Sequence, residues 1–283
     1  VARIRHAPDK HNREQVSMVE GSRQPQAATW ERPRFAPGAI EDLLLGGRRL
    51  RAAFMQAPMR FAGRDAPLLR AGMSEPSAIL IRGGFAYHAC AMADGRRAIL
   101  RVLLTGDYAG LHNIVLARAM EDLYAASRVS YCLLGAATLR ELLADPCVST
   151  FLLAQIAEGR WRADRLAASI GRLDAHGRIC VLLLDIHDRM RHRGLINRPT
   201  FTLPLTQEQI ADHLGLTLVH VNRTLRRLRE EGIVRVDRQV VVIEDMVRMH
   251  ELAQGLPQSA ELPEALPALE RIPERAMFPE FGN

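Results

Sequence analysis

The stretch "LTQEQIADHLGLTLVHVNRTLRRLREEGIV", residues 205–234, constrains the fold more than any other part of the chain. Thr206 followed three residues later by Gln209 predicts a capping box, opening a helix whose inward positions are Ile210, Ala211 and Leu214. Gly215 accepts a positive φ at little cost and stops that helix. Leu216 closes the turn, and Thr217 caps a second helix. There Val221, Leu225 and Leu228 share one face at i, i+4 and i+7, so that Val219, His220, Asn222, Arg223, Arg226 and Arg227 point elsewhere. Glu230 and Glu231 followed by Gly232 end the helix. "IVRVDRQVVVIED" continues with two β-rich runs around Asp237-Arg238, read as a small hairpin beside the helices. An ordinary helical hairpin with a solvated Arg-rich face explains the apolar positions, but not cap, turn, donor cluster and hairpin in this order.

Two short helices joined by a Gly-containing turn, the second presenting donors outward, match a helix-turn-helix expected to read double-stranded DNA, and the hairpin would make it a winged one. In the major groove all four base pairs are distinguishable. Arg223 matches guanine O6 and N7, Asn222 matches adenine, Val219 suits a thymine methyl, and His220 suits base or phosphate. Thr206, Gln207 and Thr217 stand at helix N-termini, where hydroxyl, amide and backbone N–H groups suit phosphate. Arg226 and Arg227 are placed for phosphates farther along the helix.

The rest of the chain divides by pattern. Residues 1–38 mix Arg, Gln, His, Asp and Pro without periodicity and read as a disordered arm. Residues 39–147 are assigned to a sensor domain. Within it, between about Met59 and Leu134, short strands alternate with turns at Gly83-Gly84, Asp94-Gly95 and Gly106-Asp107; Asp94-Gly95 reads as a two-residue hairpin. Strands at this spacing predict a small antiparallel barrel or roll. In residues 148–173 the period changes: Leu152, Ile156, Gly159, Ala163, Leu166, Ile170 and Leu173 repeat every seven residues, the seam of a helix paired with a second copy. Trp161 lies off that seam and is expected to face inward. Asp174 caps the helix that opens the DNA-binding domain, 174–250. Prolines at 257, 263, 267, 273 and 279 make residues 251–283 an extended tail. The predicted class is α+β: an N-terminal cupin-like antiparallel β-roll, a long dimerisation helix and a C-terminal winged helix-turn-helix.

Composition narrows the setting. The 283 residues carry a formal charge of +6, and Lys10 is the only lysine, so the cations are almost all arginines able to contact phosphate or guanine bidentately. No apolar run is long enough for a membrane span, and the first forty residues lack a signal-peptide core. Cys90, Cys132, Cys147 and Cys180 are scattered without a CxxC pair, against zinc ribbons and the usual iron–sulfur spacings. A reduced, cytoplasmic protein is expected. Cys180 reads as an inert buried cysteine, with a thiol redox switch as the alternative.

The order of roll, long helix, Asp-initiated helix, helix-turn-helix and wing resembles the bacterial Crp/Fnr transcription regulators. "LTQEQIADHLGLTLVHVNRTLRRLREEGIV" carries the resemblance most specifically, "DGRRAILRVLLTGDYAGL" in the roll less so, and it extends over about Met59 to Met249. It implies a homodimer on a palindromic DNA site, with RNA polymerase as a further partner. Two departures matter. Family members that read the commonest half-sites carry a Glu four residues before a shared Arg; the Arg matches Arg223, but the Glu position holds Val219, so a different half-site is expected. Cyclic-nucleotide binders carry Gly-Glu after the Gly-Asp turn and then an Arg-Ser pair on the phosphate. Here stand Gly110-Leu111 and, near the Arg-Ser place, Met120, Glu121 and Asp122. Two carboxylates there would repel a cyclic phosphate, so cyclic AMP is not expected. The oxygen-sensing branch needs clustered cysteines, which this chain lacks.

No cofactor is expected. Haem is the residual alternative, with His88, Cys90 and His112 as candidate iron ligands, although a hydrogen-bonded structural histidine is the plainer reading. The alternative functions are a cupin-like metal enzyme, for which "YHACAMADG" offers one His and no His-x-His pair, and a cyclic-nucleotide-binding signalling module. The regulator is expected to be controlled through the β-roll by an effector these residues do not identify, or to be constitutively active.

Overall fold

The computed structural model describes residues 37–73, 77–116 and 118–254. The predicted arm and tail therefore lie almost wholly outside the described residues. Where residues 39–56 were assigned to the sensor domain without a helix, the chain forms α1 (Pro37–Gln56). Its Leu43, Leu50 and Phe54 are buried against the roll and against α3 (Pro146–Arg172), in one cluster with Tyr108, Val148, Phe151 and Leu152. Gly46 makes this approach close: a Cβ there would overlap the backbone of Cys147 and Val148.

Two four-stranded antiparallel sheets form the roll. One has the order β1-β8-β3-β6, with β1 (Met59–Ala62), β3 (Ser77–Gly83), β6 (Tyr108–Ala109) and β8 (Val129–Gly135). The other has the order β2-β7-β4-β5, with β2 (Pro67–Leu69), β4 (Phe85–Ala91), β5 (Arg97–Leu104) and β7 (Asp122–Ala125). Leu69, Ile79, Ile81, Leu103 and Leu123 fill the space between them. The turn at Asp94-Gly95 is longer than two residues. Met92 to Arg96 loop between β4 and β5, closed by Met92 N to Arg96 O at 2.7 Å and Gly95 N to Met92 O at 3.0 Å.

After α2 (Ala136–Leu142), Asp145 caps α3 by accepting from Cys147 N. The predicted start at 148 is thus two residues late. Of the seven seam positions, Leu152 and Leu173 are buried in the chain's own core, only 5% exposed each, and leave the seam. Leu152 faces the α1 cluster, and Leu173 packs among the helices of the C-terminal half. Ile156 (51%) and Ile170 (36%) are open, together with Leu153 (68%), which the heptad reading passed over. Ala163 is exposed, whereas Gly159, Leu166 and Trp161 are half-buried.

Asp174 accepts from Gly177 N and opens α4 (Ala175–His192), as its sequence position predicts. Then come β9 (Thr200–Thr202), α5 (Gln207–Leu214), α6 (Leu218–Glu230), β10 (Val234–Asp237), β11 (Val240–Ile243) and α7 (Met246–Leu252). The small sheet has the order β10-β11-β9. No helix among the described residues is long and apolar enough to cross a membrane.

Candidate nucleic-acid interface

Local chemistry alone builds the two helices. Thr206 Oγ1 accepts from Gln209 N at 3.1 Å, while Gln209 Oε1 accepts from Thr206 N at 2.9 Å, a complete capping box. Gly215 ends α5 at φ 63°, and Leu216 N returns to Ala211 O at 3.1 Å. Thr217 then caps α6, its Oγ1 accepting from His220 N at 3.2 Å. Val221, Leu225 and Leu228 face the core with Ile210, Ala211 and Leu214. Their burial turns the opposite side of α6 outward: Val219 is 77% exposed, and Asn222, Arg223, Arg226 and Arg227 are exposed with it. Thr206, Gln207 and Thr217 are also exposed; His220 is half-buried.

The exposed side chains are not all idle. Asn222 Nδ2 donates to Leu218 O at 3.0 Å. Arg226 Nε donates to Glu230 and Arg227 Nε to Glu231, each at 2.8 Å. The Glu230 bond raises the Arg226 guanidinium above its ordinary value. Such exposed pairs are weak and exchange readily for a stronger anion. Among the described residues Arg223 makes no such pair, and it is exposed on the same helix. The wing stands beside it. Arg238 (φ 44°) and Gln239 (φ 72°) form its two-residue turn, the left-handed pair that a tight hairpin demands. Arg238 and Arg235 are exposed there, two cations the sequence reading did not select although their Arg-rich hairpin was in view.

The joint between this unit and the roll escaped the sequence reading altogether. Arg97 of β5 pairs with Asp212 of α5 at 2.6 Å, and His213 Nδ1 donates to Ile99 O at 2.9 Å. Burial holds His213 below its ordinary value. Arg64 Nη1 reaches Pro204 O at 3.0 Å, and Arg178 Nη1 ties Leu214 O at 3.2 Å to the α3–α4 corner. Arg189 of α4 and Arg193, the residue that caps its C-terminus, both grip Asp107 of the roll. Burial alone would raise Asp107, but these two arginines hold its carboxyl well below the usual carboxylate range.

In the roll, His88 is buried and its Nδ1 meets Glu121, whose other oxygen is 3.7 Å from His112 Nε2. Burial and the Arg101 charge push His88 down to about 3. Cys90 is exposed on the same strand. Among the described residues no group of three or more His, Cys, Asp or Glu is placed to hold a metal ion. The two carboxylates expected near the cyclic-phosphate place part company: Glu121 turns to the histidines, while Asp122 accepts from Ala71 N at 2.9 Å. Cys180 is fully buried, and burial pushes its thiol up to about 12, away from thiolate chemistry.

The Crp-like helix-turn-helix domain family matches residues 177–252. The probable transcriptional regulator flp of Lacticaseibacillus casei is 33% identical over 160 residues, 54% of this chain and 69% of that protein. The transcriptional activator protein FnrL of Cereibacter sphaeroides is 30% identical over 167 residues, 57% of this chain and 66% of that protein. This chain thus spans about two thirds of the length of these two relatives. Among solved structures, FixK2 from Bradyrhizobium japonicum superposes with a TM-score of 0.63 at 25% identity, over 69% of this chain and 96% of that one. A Crp-family regulator from Thermus thermophilus gives 0.57 at 20% identity, over 72% and 99%, a likeness of fold. Both sequence relatives are named as transcription regulators, which sets the cupin-enzyme alternative aside. With its winged helix-turn-helix, its roll and its long connecting helix, the chain belongs to the Crp/Fnr family of DNA-binding transcription regulators.

Proposed function

We infer that the protein acts as a homodimer on a palindromic DNA site and sets transcription through sequence-specific binding. The observation that carries this is the outward face of α6, whose Val219, Asn222, Arg223, Arg226 and Arg227 are exposed while its apolar face is buried. Arg223 would read guanine and Asn222 adenine, the latter giving up its bond to Leu218 O. Val219 would meet a thymine methyl, and His220 a base or phosphate. Thr206, Gln207, Thr217, Arg226 and Arg227 would hold the phosphates.

The apolar side chains left open on α3, Leu153, Ile156, Ala163 and Ile170, support pairing with a second copy, because an exposed stripe of this kind calls for a cover. A two-fold pair would place two α6 helices in major grooves about 34 Å apart. RNA polymerase is the further partner this reading expects at a promoter. Cyclic AMP remains outside the expectation, since Glu121 stands where an anion would need a cation; haem remains the lesser alternative through His88 and His112.

Selection of bound fragments from random duplex DNA tests the reading. A two-fold symmetric consensus is expected. Equal, salt-sensitive affinity for every fragment would overturn sequence-specific regulation.

A further inference from the structure

Burial of Leu152 and Leu173 in the protomer shifts the open stripe of α3 away from the heptad read in the sequence. Leu153, Ile156, Arg160, Ala163, Ala167 and Ile170 are all exposed, at steps of three, four, three, four and three. That spacing keeps the six side chains on one helical face, the pattern of a seam between two helices. Five of them are apolar. The sixth is Arg160, near the middle of the face, where a charge costs an apolar seam stability.

The arginine does not stand alone. Its Nε donates to both carboxylate oxygens of Asp164, at 2.8 and 2.9 Å, one turn along the same helix. The two side chains remain open, 77% and 53% exposed, so within one protomer the pair is weak. Its order adds little to the helix, because an acid preceding a base is the arrangement that the helix dipole favours. Glu158 with Arg162 has that favoured order and is turned into the protomer, each side chain 10% exposed. Arg160 and Asp164 are turned outward instead, on and beside the stripe. Such a pair is self-complementary. Two copies related by a two-fold axis each offer one base and one acid a single turn apart, so two equal diagonal contacts become available.

We propose that a second copy of this chain covers the stripe and that the ion pair is exchanged between copies, Arg160 of each helix meeting Asp164 of the other. With Leu153, Ile156 and Ile170 excluding water on either side, the diagonal contacts are stronger than the exposed pairs they replace, and neither arginine faces its twin unneutralised. They form only when the helices run parallel with Arg160 at the same height, which fixes the register. They also require a partner that carries an acid one turn after the base. A chain with a wholly apolar seam would leave Arg160 buried without an acceptor, so the pair selects a like copy. The exchange rests on the homodimer reading of α3 and goes beyond it by naming what sets the register and chooses the partner.

Charge exchange in the full chain tests this, read by sedimentation and native mass spectrometry. Both positions are exposed in the protomer, so the variants keep the wild-type far-UV circular dichroism. Arg160→Asp and Asp164→Arg each set like charges against one another, and self-association weakens about tenfold or more in either. The double variant, with the charges swapped, regains wild-type association within about threefold. An equimolar mixture of the two single variants forms mixed dimers in excess over random pairing, and about 1 M salt reduces the excess. A pair confined to its own helix is broken in both single variants and is not restored by mixing them. Random pairing in the mixture, single variants that associate like wild type, or a double variant that stays weak would each overturn the exchange. Wild type and Leu153→Asp run alongside separate the two readings. A monomeric wild type removes the homodimer and the exchange together, while a wild-type dimer lost in Leu153→Asp but indifferent to the charges removes the exchange alone.

Discussion

Arg223 and Arg227 sit four residues apart on α6 and are both exposed, yet their surroundings differ. Arg227 is tied to Glu231 at the end of the helix, whereas Arg223 has no ion pair among the described residues and is exposed like Val219 and Asn222. Arg223→Ala should cost about 1–3 kcal/mol at one base position and relax the preference there. Arg227→Ala should weaken all duplexes evenly and flatten the logarithmic salt slope by about 1. Titrations of operator and scrambled duplex at several salt concentrations distinguish the two. Equal losses on both duplexes for both variants would refute the division of roles. These side chains were legible in the sequence because helical periodicity alone decides which of them the core claims. Leu152 and Leu173 show the opposite case: their heptad spacing put them on the seam, but α1 and the C-terminal helices of the same chain bury them.

Among the elements, α1 is the one the sequence concealed. Its apolar positions are interrupted by Gly46-Gly47 and two arginines, so the segment reads poorly as a helix by itself. Gly46 is there for contact, since any side chain would run into the backbone of α3. Gly46→Ala should therefore destabilise the protein by roughly 1–3 kcal/mol, despite the better helix propensity of Ala. Gly171→Ala, with nothing within 4 Å of its Cβ position, should instead gain up to about 1 kcal/mol. Chemical denaturation of the two variants checks the contrast; equal behaviour would mean that α1 does not press on α3. Caps behaved differently. Thr206, Thr217 and Asp174 each start a helix where their residue type predicts, because a cap bonds to backbone two or three residues away and needs no distant partner.

Across the chain, the exposed side of α3 and the buried joint beneath the roll make separate predictions. Leu153→Asp puts a charge on the open stripe without touching the protomer's core, so the fold should persist and the hydrodynamic mass should halve. An unchanged mass would exclude this face as the dimer contact. The roll and the joint beneath it should be acid-sensitive. His88 (to about 3), His112 and His213 are all held below the ordinary 6.5, first by burial. Below 6.5 the unfolded chain takes up protons that the folded chain refuses. Their contribution to stability is thus intact above about pH 6.5 and is lost as pH falls toward 3. The depressed carboxyl of Asp107 acts in the same direction in more acidic solution. His213→Gln, which keeps a donor for Ile99 O, should lose less stability than wild type between about pH 7 and 5. Identical losses would mean that His213 titrates freely.

What the sequence determined by itself were the features whose cause is local: capping residues, a glycine at positive φ, apolar spacing that separates an inner from an outer helix face, and the wing that follows. What only the tertiary structure decided were the pairings between distant segments. Arg97 with Asp212 and the Arg189 and Arg193 grip on Asp107 join residues about 80 to 115 positions apart. Nothing within a few residues of an arginine states whether its charge will meet a carboxylate or a carbonyl. That is settled when sheets and helices stack, because burial turns an ordinary surface charge into one whose partner matters.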